Sequence, residues 1–85
     1  MTVDQTLDAR EKQYGSFGGH ADICQSLKRV MVGYAGWERL TPSQAESLEM
    51  IAHKIARILN GDPDYPDNWH DIAGYAVLVE RELSK

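Results

Sequence analysis

Apolar positions recur every three or four residues in four stretches of this chain, and no stretch sustains strict alternation of apolar and polar residues. The first pattern predicts amphipathic helices, and the lack of the second argues against a sheet. The clearest stretch opens at Thr41, where Thr41, Pro42, Ser43 and Gln44 read as a capping box with proline at the first helical position. Leu48, Ile51, Ala52, Ile55, Ile58 and Leu59 then form one apolar stripe, and Gly61 supplies the stop. A weaker helix is predicted over 3–13, with Val3 and Leu7 on its apolar side. Another over 20–32 carries Ile23, Leu27, Val30 and Met31 at helical spacing, with Cys24 as core. A fourth follows Asp67, a good N-cap, and is expected to bury Trp69, Ile72, Ala73, Ala76, Val79 and Leu83.

The connections are short. Gly15, Gly18 and Gly19 predict a tight turn with Phe17 docked on the core, and residues 62–66 read as a loop. Tyr34 and Trp37 fall in the linker between the second and third helices, where they are expected to cover the core edge. The fold expected is all-α: a small, four-helix, bundle-like single domain over residues 1–85.

Composition narrows the function classes. A chain of 85 residues buries only roughly 60–65% of the surface it exposes when unfolded, so self-association is a natural source of further core. Cys24 is the single cysteine; it permits no internal disulfide and fits a reducing compartment. No run approaches the ~20 apolar residues of a membrane span, and the first residues do not read as a signal peptide. The expectation is a cytoplasmic protein with no membrane partner. With 13 acidic against 9 basic side chains, the net charge of -4 gives no reason to bind nucleic acid non-specifically.

Candidate chemistry gathers on the third and fourth helices. Glu46, Glu49, His53 and Arg57 share one face of the third. Two carboxylates one turn apart suit a hard divalent cation such as Mg²⁺, although a solvated charged face reads the same way. Asn68 and Asp71 open the fourth helix. Asp71 borders its buried side, where its partner is either a metal or a structural cation, Lys54 or Arg57. His20, His53 and His70 lie on three different segments without zinc-site spacing.

Taken together, Tyr14-Gly15, the Lys54–Ile58 segment with Lys54, Arg57 and Ile58, the Asn60–Pro63 segment, and the Asp71–Ala76 segment with Asp71, Ile72, Tyr75 and Ala76 resemble small uncharacterised phage and prophage proteins. More distantly, the layout resembles the MazG-like all-α nucleotide pyrophosphohydrolases. These carry a Glu-x-x-Glu pair on one helix and a Glu-x-x-Asp pair on the next. Glu46 and Glu49 match the first pair; Asp71 matches the final aspartate, and Asn68 stands where that family has glutamate.

The resemblance implies Mg²⁺ held by Glu46, Glu49, Asn68 and Asp71, with Glu49 catalytic, Lys54 and Arg57 on phosphate, and a homo-oligomer. The expected function is a phage nucleotide-handling protein, a (d)NTP pyrophosphohydrolase. The alternative is a non-catalytic protein that binds a host protein or sequesters a nucleotide, with Tyr34, Trp37 and Tyr65 as interface anchors.

Overall fold

The structure is a computed structural model that describes residues 2–85. Its elements are α1 (Val3–Tyr14), α2 (Phe17–Val32), a 3₁₀ turn (Ala35–Arg39), α3 (Pro42–Asn60) and α4 (Pro66–Leu83). No strand occurs among the described residues, so the chain is all-α.

The helix boundaries follow from their caps. Thr41 and Gln44 form the expected capping box, and Thr2 with Gln5 builds a second one that starts α1. The Ser16 hydroxyl accepts from the Gly19 amide and starts α2 at Phe17, three residues before the expected start. Gly18 and Gly19 therefore lie in the first helical turn rather than in a loop. Phe17, at the first helical position, is 83% exposed instead of docked on the core. At α4 the cap position belongs to Tyr65, because Pro66 already occupies the first turn and Asp67 falls inside the helix.

α3 is the central element. α2 packs along one side of it, α4 along the other, and α1 rests near its C-terminal end. Cys24, Ala52 and Ala56 are the buried hydrophobic residues, with Ile23, Leu27 and Met31 packed against them. Small side chains at the α2–α3 seam let the two backbones approach closely. α4 has one main helical neighbour, so its covered face is narrow. Ile72 and Val79 are half-buried, whereas Trp69, Ala73, Ala76 and Leu83, expected inside, are exposed. Leu48 and Leu59 of the α3 stripe are also exposed. Tyr34 is exposed, and Trp37 and Tyr65 are half-buried.

The α1–α2 corner is fastened to the end of α3. The Asn60 Nδ2 group donates to the carbonyls of Tyr14 (2.9 Å) and Ser16 (2.8 Å). The Asp62 amide donates to Gln13 at 2.8 Å. Gly15 turns the chain with φ +78°, in the region that favours glycine. Gly61 is required for a different reason: a Cβ there would collide with the Gln13 carbonyl and the Tyr14 backbone.

The accessible surface is 6173 Å², against about 5,100 Å² for a compact monomer of 9.6 kDa. The radius of gyration is 14.6 Å, against about 12 Å for a compact domain of this length. The single chain therefore leaves an unusual amount of surface uncovered.

Candidate functional site

α3 presents different chemistry to each neighbour, because successive residues on a helix point about 100° apart. Toward α4 it presents Lys54, which is buried and sits with Nζ 2.9 Å from Asp71 Oδ2. That bond is the main reason the Asp71 carboxyl titrates below the usual carboxylate range, and the charges of Lys54, His70 and Arg57 act in the same direction. One turn earlier on α4, Asn68 is 1% exposed and its Nδ2 has no hydrogen-bond partner.

The expected magnesium ligands are spread along the helix pair. Glu46 is exposed and lines a groove with Ser43, Ser47, Tyr75 and Glu82, toward the C-terminus of α4. Glu49 is half-buried, and its charge acts on His53. Glu46, Glu49 and Asp71 do not converge as a three-ligand group, and Lys54 stands on Asp71.

A different trio converges on the opposite side of α3. His20 and Cys24 lie one turn apart on α2 and face His53; one ligand atom from each residue lies within 4.8 Å of the other two. The two imidazole centroids are 5.5 Å apart. His20 Nδ1 is buried without a partner, and Lys28 Nζ lies 3.3 Å from His53 Nε2. Burial, first, and then the neighbouring cationic groups hold both histidines below their ordinary pKa. His20 feels His53, Arg57, Lys28 and Lys54 in that order; His53 feels Lys28, Arg57 and Lys54, with Glu49 opposing. His70 lies on exposed α4 surface and takes no part in this trio.

Beside the trio, a cleft of about 420 Å³ opens between α1, the start of α2 and the end of α3. Arg10, Tyr14, Phe17, His20 and Arg57 line it, with Leu7, Gly15 and Glu11 completing the wall. The Arg57 guanidinium stacks over the Tyr14 ring, 4.4 Å from its centroid. Among the described residues the one ion pair is Lys54–Asp71, so Arg10, Lys28 and Arg57 carry no carboxylate partner within salt-bridge distance. Tyr65 packs edge-on against Tyr14, and its hydroxyl donates to Asp67, which raises the Tyr65 pKa.

Sequence reasoning weighed Arg57 for phosphate but missed Arg10, Tyr14 and Phe17 as its companions. It also missed Cys24 as a partner for the histidines. The spacing of His20 and Cys24, four residues apart on a helix, was the available signal.

No curated protein and no solved structure matches this chain. Residues 2–82 match the family described as Domain of unknown function (DUF6378). That match runs from the cap of α1 to the last turn of α4, and the chain belongs to the DUF6378 family.

Proposed function

We propose that this chain is a nucleotide-binding protein that sequesters its ligand without hydrolysing it, and that it works as a homodimer. The observation that carries the reading is the cleft in which Arg10 and Arg57 stand beside Tyr14 and Phe17. Guanidinium groups without carboxylate partners suit a polyphosphate, which they bind through paired N–H donors. The exposed Phe17 ring offers a face on which a base can stack. The volume lies within the ordinary range for small-molecule sites, roughly 300–1,000 Å³. Glu11 is the one carboxylate on the wall, so the lining favours an anion.

Resemblance to the MazG-like pyrophosphohydrolases suggests Mg²⁺ chemistry at Glu46, Glu49, Asn68 and Asp71. Against catalysis in the single chain stand the separation of those carboxylates and the pairing of Asp71 with Lys54. Lys54 is thereby withdrawn from phosphate binding, which leaves Arg57 as the member of the expected pair that faces a cleft.

The homodimer reading rests on area. The surface in excess of a compact monomer, about 1,000 Å², is close to the ~800 Å² that one partner buries in a standard interface. The outer face of α4 is the best patch for a second copy. Ala73, Gly74, Val77 and Leu78 are exposed there, and a Cβ at Gly74 would meet nothing within 4 Å. Small residues beside two aliphatic ones let two such helices pack closely.

The test is thermal stability with a panel of nucleoside triphosphates, with and without Mg²⁺, and with pyrophosphate release read in the same samples. The expected result is a rise in Tm with nucleotide, no pyrophosphate, and loss of the rise in Arg57→Ala. No rise with any nucleotide overturns the reading. Pyrophosphate release that depends on Mg²⁺ and disappears in Glu49→Gln overturns the non-catalytic part and restores the enzyme.

A further inference from the structure

We propose that His20, Cys24 and His53 form a binding site for a divalent transition metal of the Zn²⁺ class, with one coordination position left open. The proposal does not rest on the nucleotide reading, since it needs neither the cleft nor a phosphate.

The donor set selects the ion. Two imidazole nitrogens and one thiolate are the ligands that Zn²⁺ and its spectroscopic substitute Co²⁺ prefer, whereas Mg²⁺ and Ca²⁺ require oxygen. The geometry is nearly closed. His20 and Cys24 project from consecutive turns of α2, and His53 meets them from α3, with the three ligand atoms within 4.8 Å of one another. Tetrahedral zinc, with Zn–N near ~2.0 Å and Zn–S near ~2.3 Å, places its donors about 3.3–3.6 Å apart. The 4.8 Å limit exceeds these separations by little more than about 1 Å, a displacement within reach of side-chain rotation.

A second observation concerns one of the three residues. His20 Nδ1 is buried and makes no hydrogen bond, and unpartnered buried nitrogens are uncommon in folded proteins. A buried Cys24 with two half-buried histidines packed only as core would leave the orphaned nitrogen unexplained.

Lys28 is the competitor. Its ammonium donates to His53 Nε2 at 3.3 Å. On binding, the hydrated ion gives up waters to solvent as the Cys24 Sγ–metal and two imidazole–metal bonds form, the Cys24 thiol releases its proton to solvent, and the Lys28 head swings outward on its flexible stem. Thiolate and Zn²⁺ together bring a net charge of +1 into a neighbourhood that already holds Lys28, Lys54 and Arg57. The fourth position is therefore suited to an anionic ligand or to a water molecule that ionises readily.

The experiment is titration of chelator-stripped, reduced, full-length protein with Co²⁺ and then Zn²⁺, with no nucleotide present. One equivalent of Co²⁺ should give the intense visible absorption of a four-coordinate ion and a thiolate-to-cobalt charge-transfer band, both abolished by Zn²⁺. Cys24→Ser should lose the charge-transfer band. His20→Gln and His53→Gln should each weaken binding by at least about tenfold. Lys28→Met, which leaves the core intact, should strengthen it, and His70→Gln should change nothing. Far-ultraviolet circular dichroism of each metal-free variant separates loss of a ligand from loss of the fold. The absence of both bands in the parent protein overturns the site, as does a charge-transfer band that survives Cys24→Ser. Binding unaltered in both histidine variants overturns it too. Nucleotide stabilisation of the metal-free protein reports on the cleft alone, so failure of either reading is visible without the other.

Discussion

Lys54 and Asp71 meet across the α3–α4 seam at 2.9 Å, with the ammonium buried and the carboxylate half-exposed. The buried partner depends on the accessible one. Asp71→Asn leaves a buried cation without its counter-charge, whereas Lys54→Met replaces that cation with an apolar chain of similar length. The expected order of melting temperatures is wild type and Lys54→Met close together, with Asp71→Asn several degrees lower. The double variant should recover most of that loss. Thermal denaturation of the four proteins, read as a double-mutant cycle, checks the coupling.

Asn60 ties the α1–α2 corner to α3 through two hydrogen bonds donated by one amide. Replacing it with Ala removes both and leaves two carbonyls to find water. At about 0.5–1.5 kcal/mol for each bond, the loss is roughly 1–3 kcal/mol. For a domain of this size that lowers Tm by roughly 4–24 °C. Asn60→Asp should be at least as damaging despite its shape, because a carboxylate cannot donate to the Tyr14 and Ser16 carbonyls. Hydrogen exchange should place the extra opening in α1 rather than in α3.

His20 and His53 make stability depend on pH. Burial and the surrounding cations hold both below the ordinary value of 6.5. The unfolded chain therefore takes up these protons at a higher pH than the folded chain does. Their contribution is complete above about pH 6.5 and is lost as the pH falls from there through the lowered folded values. Asp71, also lowered, acts in a more acidic window: its contribution holds above its ordinary value of 3.8 and is lost below it. Urea unfolding between about pH 8 and about pH 5 should show the histidine-linked slope, and His53→Gln should flatten it.

The apolar outer face of α4 predicts the oligomer. Leu78 is 57% exposed, and its replacement by Glu places a charge at the centre of the face proposed to pair. The wild type should sediment as a dimer with a Tm that rises with protein concentration. Leu78→Glu should sediment as a monomer while keeping its helicity. A wild type that remains monomeric at the highest soluble concentration would falsify the pairing.

What the sequence alone determined is local. Helix type follows from apolar periodicity, and the α3 ends follow from Thr41, Gln44 and Gly61, because caps act over three or four residues. The ambiguity at residues 15–19 had the same local origin: three glycines suggested a turn, and one Ser16 hydroxyl turned most of that stretch into helix. Tertiary structure decided which charged residues meet. The antiparallel register brings Ser43 to Glu82, Ser47 to the Tyr75 carbonyl and Lys54 to Asp71. At 1.5 Å per residue, Glu46 then lies about 12 Å up the axis from Lys54. Spacing along one helix cannot report that offset, which depends on how two helices slide against each other. The same holds for His20, Cys24 and His53, separated by up to 33 residues in the chain and joined only because small residues let α2 and α3 pack closely.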